Sequence, residues 1–276
     1  MTAVAAFPLP LVQEISACRV LSVNPYRACD IRCAYCITGA QGESRPRFGA
    51  DAVREQLRRE LDAMGDLQPR VGLGTMCDAY PSVEAELGIT RIVLDELTRL
   101  GWRVTVVTKG AGVRRDIDLL LLGGATVVIS LSTLDRDALA RLEPGAPTPA
   151  ERVDLIRDLV EAGVPVSVSA SPWIPGVGDP ASLARTLGAT IPITVAPLNV
   201  NSREVRRTGF GRRFDQREID RAYLEERERS TELTSVRWLP PVTARGPGNQ
   251  QQVMLPLGTR TAARACGSAG TRTSLP

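Results

Sequence analysis

Short apolar runs recur along this chain at nearly even spacing, and longer polar stretches of helical character fill the gaps between them. The runs at residues 18–24 (CRVLSVN), 70–77 (RVGLGTMC), 102–109 (WRVTVVTK), 125–132 (ATVVISLS), 164–172 (VPVSVSASP) and 191–198 (IPITVAPL) have the length and composition of strands. Residues 51–64, 82–100 and 148–163 read as helices. The last of these opens with Thr148 as an N-cap before Pro149 and stops at Gly163. Six strand-then-helix units with continuous apolar strands predict an α/β fold, a parallel sheet covered by helices and either open or curled into a barrel.

The pattern changes after residue 198. Residues 201–230 (NSREVRRTGFGRRFDQREIDRAYLEERERS) are highly charged, with one helix expected from Asp215 to about Ser230, and the remainder is rich in Gly, Pro, Thr and Arg. This predicts a core over residues 1–200 and a C-terminal extension over 201–276 that packs over or closes it. The longest apolar run, residues 119–131, is too short to span a bilayer and contains two glycines. Residues 1–12 carry two prolines and no basic leader, so they do not read as a secretory signal, and a cytoplasmic location without a membrane partner is expected.

Composition narrows the chemistry more than the architecture. At 43% hydrophobic and 24% charged with a net charge of +3, the chain reads as an ordinary globular domain with no block of charge demanding an anionic partner. It contains no histidine, which excludes Ser-His-Asp and Cys-His nucleophiles, histidine-ligated metals and histidine general bases. It contains six cysteines, three of them at Cys29, Cys33 and Cys36 in a loop just after the first expected strand. Thiolates are soft anionic ligands suited to iron–sulfur clusters and zinc. A structural zinc would want a fourth ligand nearby, and the next cysteine, Cys77, belongs to another strand. Three cysteines on a cluster of four irons leave one iron open to bind a small molecule.

The spacing C-x-x-x-C-x-x-C, with Tyr35 just before the last cysteine, resembles the radical S-adenosylmethionine superfamily. The lead-in NPYRACDIRCAYC, the segment GTMCDAYPSVEAELGITR, and VTKG, STLD, LEPGAPTP and IPGVGD in that order resemble its spore photoproduct lyase-like branch. The resemblance covers about residues 22–179. It implies a partial (β/α)6 TIM-type barrel, a 4Fe-4S cluster on Cys29, Cys33 and Cys36, and S-adenosylmethionine on the open iron. It also implies an external one-electron reductant and reactive groups at the C-terminal ends of the strands. By the same resemblance Tyr35 lies against the adenine, Gly74 and Thr75 meet the amino group of S-adenosylmethionine, and Ser130 or Ser132 suits its ribose or carboxylate. Residues 172–178 would pack on the adenine and Ala196 to Leu198 would pair with its edge. A glycine or serine near a strand end is otherwise simply part of a turn.

Cys18, Cys77 and Cys266 remain, too few and scattered to ligate a second complete cluster. A redox-neutral outcome is therefore expected, in which a substrate radical is re-quenched by a thiol, whose S–H bond is weaker than most C–H bonds. Cys77 stands two residues beyond the donor position of the lyase branch and would share its face in an extended strand. Cys266 lies in a glycine-rich tail able to fold across the barrel mouth, and Cys18 sits at the barrel bottom as a structural residue. Asp78, Tyr80, Glu84 and Lys109 are the candidates for binding a polyhydroxylated or aminated substrate, although they can equally pair with one another, and Glu84 can simply start a helix. Arg206, Arg207, Arg212 and Arg213 around Phe210 form either a phosphate-facing patch or a solvated face. Few aromatics (4%) and mild basicity argue against a nucleic-acid partner. A small-molecule substrate and epimerisation of a sugar or aminoglycoside-type natural product, as in antibiotic biosynthesis, are the favoured reading. The alternatives are a DNA photoproduct lyase-like repair enzyme and a non-enzymatic iron–sulfur or zinc protein.

Overall fold

The computed structural model describes residues 11–15, 20–39, 41–63, 70–207 and 209–241. Within them eight strands form one sheet: β1 (Val12–Ile15), β2 (Val20–Val23), β3 (Arg70–Leu73), β4 (Val104–Thr108), β5 (Thr126–Ser130), β6 (Val166–Trp173), β7 (Ile193–Pro197) and β8 (Val236–Trp238). They lie side by side in chain order. β1 runs antiparallel to β2, and every later pairing is parallel. The first and last strands do not pair with each other, so the barrel is partial and open. The connecting helices are α1 (Ala50–Asp62), α2 (Glu84–Leu87), α3 (Ile89–Arg99), α4 (Ile117–Leu122), α5 (Arg136–Leu142), α6 (Pro149–Glu161) and α7 (Pro180–Leu187). α8 (Arg203–Arg207) and α9 (Gln216–Arg229) follow β7. No helix among the described residues is long and apolar enough to cross a membrane.

The six strands expected from sequence are β2 to β7. Side chains alternate between the two faces of a strand, and here the two faces differ in chemistry. Leu21, Val23, Val71, Leu73, Val104, Val106, Val127, Ile129, Val166, Val168, Ile193 and Val195 belong to one buried cluster with Val53, Leu57, Leu94, Leu97, Leu155 and Leu159 of the covering helices. Full burial of such a side chain is worth roughly 1.5–3 kcal/mol, so this face holds the fold together. The intervening positions face the concave side and are mostly Ser, Thr and Gly. α6 is fixed at its start by a reciprocal capping box, with the Glu151 N–H donating to Thr148 Oγ1 at 3.3 Å and the Thr148 N–H to Glu151 Oε2 at 2.7 Å.

The structure departs from the sequence reading in three places. The strand expected over 70–77 ends at Leu73, because Gly74 has a φ of +84° and turns the chain. The helix expected over 82–100 is two helices, separated at Gly88 in the left-handed region with a φ of +62°. β1 and β8 extend the sheet at its two edges, and at four and three residues they are too short to stand out as periodic segments.

Candidate active site at the barrel mouth

The loop after β2 carries Cys29, Cys33 and Cys36, all free and half-buried. Two other segments and the loop's own return pin it in place. Its return strand is held by the Arg27 N–H on Arg45 O at 2.9 Å, the Arg47 N–H on Pro25 O at 2.7 Å and the Gly42 N–H on Cys29 O at 3.2 Å. Past β3, the Ser82 N–H and hydroxyl donate to the Asp30 carboxylate, and the Thr38 hydroxyl donates to Met76 O at 2.9 Å. Past β5, the Ala34 N–H donates to Leu142 O at 2.8 Å and the Gly145 N–H to Ile31 O at 3.0 Å. A Cβ at position 145 would clash with Asp30 O. Gly145→Ala is therefore expected to push the cysteine loop off this support and lower the iron retained after cluster reconstitution. Iron content equal to that of the wild type would show that the loop adapts.

Burial pushes the Cys29 and Cys33 thiols up to about 12, an effect that Asp78 reinforces at Cys29 and Lys109 opposes at Cys33. Thiols so placed are poor thiolates unless a positive centre joins them, and the irons of a cluster supply it. Among the described residues no three His, Cys, Asp or Glu side chains gather as a single metal ion would require. A cubane takes its three thiolates on three separate irons, so the half-buried trio suits a cluster better than a lone ion.

Beneath the loop lies a buried charge network. The Arg152 guanidinium faces the Glu143 carboxylate at 2.5 Å, with side chains 0% and 1% exposed. Arg152 also donates to Ser130 O at 2.8 Å and Pro147 O at 2.9 Å, which ties α6 to the end of β5. Glu143 accepts from the Tyr35 hydroxyl and lies 3.9 Å from Lys109 Nζ. Burial pushes the Glu143 carboxyl up from its ordinary range, and Arg152 opposes this.

The remaining sequence candidates fall into distinct groups. Tyr35 packs with Leu142, Ile174, Leu198 and Val200, alongside Cys33, Phe210 and Phe214, so Tyr35 and parts of both expected adenine segments meet in one apolar cluster. Gly74 sits where a Cβ would come 2.7 Å from both Ala79 Cβ and Val107 O, and its N–H donates to Val23 O at 3.0 Å. The Thr75 hydroxyl pairs with Ser22 Oγ, and Asn24 bridges Ser22 Oγ and the Met76 N–H. Ser130, Ser132 and Ala196 are buried at the ends of β5 and β7, and Ser132 Oγ has no hydrogen-bond partner.

The four substrate candidates separate. Asp78 accepts from the Thr108 hydroxyl, the Tyr80 N–H and the Lys109 N–H, which spends its carboxylate on linking the ends of β3 and β4. Tyr80 donates to Asp116 at 3.0 Å, and Glu84 pairs with Arg115 while accepting from the Tyr26 hydroxyl and the Thr90 N–H. Both are buried in a hydrogen-bonded network with Tyr26, Arg115 and Asp116. Lys109 remains beside Cys33 and Glu143.

Cys77 is buried beside Arg47 and Cys36, and burial pushes its thiol up to about 12. Its place does not follow from strand alternation, since the chain is already bent at Gly74. Cys18 and Cys266 lie outside the described residues. Sequence reasoning missed Glu143, Arg152, Asp30 and Arg47. Arg152 left a signal: it stands three, four and seven residues before Leu155, Ile156 and Leu159, on the apolar face of α6.

A parallel sheet bent into an open barrel, with a cysteine loop fixed over the C-terminal ends of its strands, defines an iron–sulfur barrel protein. The model of the Radical SAM superfamily matches residues 23–182, more than half of the chain, and the chain belongs to that superfamily. Membership brings a 4Fe-4S cluster and S-adenosylmethionine. An uncharacterised protein of Mycobacterium tuberculosis, Rv2578c, is 29% identical over 172 residues, 57% of this chain and 51% of that protein. Another from Methanocaldococcus jannaschii, MJ0683, is 23% identical over 175 residues, 62% of this chain and 66% of that one. The chain thus spans about half the length of the first relatives it matches. Among solved structures, a spore photoproduct lyase variant superposes with a TM-score of 0.60 at 14% identity, over 82% of this chain and 78% of that one. Streptococcus suis SuiB bound to S-adenosylmethionine gives 0.55 at 16%, over 84% and 50%. Both share the fold.

Proposed function

We propose that this radical S-adenosylmethionine enzyme acts on a polar small molecule, removes one hydrogen atom and returns another from a cysteine thiol, inverting a C–H centre of a sugar or aminoglycoside-type product. When bound and reduced by one electron, the cluster and S-adenosylmethionine supply a 5'-deoxyadenosyl radical that takes the hydrogen atom. Cys29, Cys33 and Cys36 hold the cluster. Tyr35, Gly74, Thr75, Ser130, Ser132 and Ala196 orient S-adenosylmethionine, and Lys109 reaches toward the substrate. Cys77 or Cys266 then gives its S–H hydrogen to the carbon radical. The thiyl left on sulfur takes an electron from the external reductant and a proton from water, so the substrate itself is neither oxidised nor reduced. The extension expected over residues 201–276 lies outside the described residues beyond position 241.

The observation that supports the reading is the Cys77 thiol, buried next to Cys36 but outside the C-x-x-x-C-x-x-C spacing, where burial raises it above the ordinary thiol range. In deuterated water the product is expected to carry one solvent deuterium. Cys77→Ala or Cys266→Ala is expected to keep 5'-deoxyadenosine formation while abolishing clean product. Normal deuterated product from both variants would overturn thiol quenching. The fold shared with spore photoproduct lyase favours a second reading, repair of a DNA lesion, for which salt-dependent DNA binding is the test.

A further inference from the structure

The arginines after β7 have no part in the chemistry of the cysteine loop, and the structure sorts them. Arg207 pairs with Glu204 at 3.2 Å. Arg206 and Arg212 instead line an open cleft of about 460 Å³ together with Arg217, while Arg213 does not line it. Every lining residue lies between Val200 and Arg217, so no strand contributes to it.

Two local features build the cleft. Gly209, with a φ of +77°, turns the chain after α8, and the turn Phe210–Arg213 folds back so closely that a Cβ on Gly211 would lie 2.9 Å from Val205 Cγ1. The buried Gln216 carboxamide accepts from the Val200 N–H at 2.8 Å and donates to Leu198 O at 2.9 Å, which ties the start of α9 to the segment leaving β7. Val200 and Phe214, on the cleft wall, also belong to the apolar packing around Tyr35 and Cys33. The cleft therefore adjoins the cysteine loop.

Its charge is unbalanced. Arg206 donates from Nε to Val200 O at 3.2 Å and from Nη2 to Asn201 Oδ1 at 2.8 Å, neutral acceptors that orient the guanidinium without cancelling its charge. None of Arg206, Arg212 and Arg217 forms an ion pair among the described residues, whereas Arg54, Arg58, Arg91, Arg114 and Arg115 each face a carboxylate. Asp215 is the one carboxylate lining the cleft, and it is spent on capping α9, accepting from the Arg217 N–H at 2.8 Å and the Glu218 N–H at 3.1 Å. Three guanidiniums against that carboxylate leave a surplus of two positive charges, which repel one another unless an anion joins them.

We propose that this cleft anchors the diphosphate of a phosphorylated small molecule, with Arg206, Arg212 and Arg217 on its oxygens and its organic part against Phe214 and Val200. The planar guanidinium fork suits phosphate oxygens, which it binds in pairs. A diphosphate diester carries two negative charges and matches the surplus. The volume is more than inorganic phosphate fills and lies within the roughly 300–1,000 Å³ of small-molecule sites. The inference rests on the small-molecule reading above and narrows it to molecules carried on a diphosphate.

The test is calorimetric titration of the cluster-loaded, unreduced protein with S-adenosylmethionine present. The probes are uridine diphosphate glucose, inorganic pyrophosphate, uridine monophosphate, glucose, inorganic sulfate and a short single-stranded oligothymidine, all at one ionic strength. Uridine diphosphate glucose is expected to bind about tenfold or more tightly than the monophosphate, glucose or sulfate, and pyrophosphate should compete with it. Arg212→Ala and Arg217→Ala should each weaken it about tenfold, and Arg212→Lys less. The same variants should keep the wild-type melting transition and the wild-type rate of dithionite-driven 5'-deoxyadenosine formation. The proposal is overturned if uridine diphosphate glucose binds no better than sulfate, or if both alanine variants bind it like wild type. Tightest binding of the oligothymidine would overturn it together with the small-molecule reading. Failure of both diphosphates to bind a preparation that forms 5'-deoxyadenosine would overturn this site alone.

Discussion

Glu143→Leu is expected to be the most destabilising single change in the barrel. It leaves the Arg152 guanidinium, fully buried and bonded to Ser130 O and Pro147 O, without its counter-charge. Breaking a buried pair from one side costs about 3–5 kcal/mol, because the surviving charge stays desolvated. Domains are stable by only about 5–15 kcal/mol, so thermal unfolding should shift down by on the order of 10 °C. The double replacement Glu143→Leu with Arg152→Met removes both charges and should restore much of the loss. A single variant melting within a degree or two of wild type would mean that water reaches the pair. The same change releases the Tyr35 hydroxyl and Lys109, so it should also loosen the cysteine loop.

Cys33→Ala is expected to have the opposite profile, with function abolished and fold retained. The loop is fixed by backbone and side-chain hydrogen bonds to residues after β3 and β5, none of which uses the Cys33 thiol. The variant should therefore keep the wild-type circular dichroism spectrum and melting transition of the cluster-free protein. After reconstitution it should lack the cluster's visible absorbance and form 5'-deoxyadenosine only at background. Cys29→Ala and Cys36→Ala should behave alike. A Cys33→Ala protein that retains a full cluster and cleaves S-adenosylmethionine would remove Cys33 from the ligand set.

The parts of this architecture legible in sequence are those with a local signature. The strands β2 to β7 announce themselves through Val, Ile and Thr runs, because parallel strands are covered on one face by helices and sheltered on the other. The cysteine loop is legible through spacing alone. Glu143 and Arg152 are nine residues apart in different elements, and nothing local says that the turn between them folds the carboxylate back onto the guanidinium. Tyr80 and Glu84 lie beside a strand end, where residue type suggested a ligand, but their direction is set by Tyr26, Arg115 and Asp116 from other segments. Gly88 breaks a helix that periodicity runs straight through, since glycine is tolerated in a helical pattern until its φ turns positive. Ser169 was visible as a letter, and only the register with β5 and β7 sets it between Ser130 and Thr194.

The most direct test of the account needs no knowledge of the substrate. The protein is reconstituted anaerobically with iron and sulfide, reduced with dithionite and incubated with S-adenosylmethionine, and 5'-deoxyadenosine and methionine are quantified by mass spectrometry. The account predicts both products in equal amounts from the wild type and background levels from Cys33→Ala. A fully loaded, reduced wild-type cluster that leaves S-adenosylmethionine intact would contradict it.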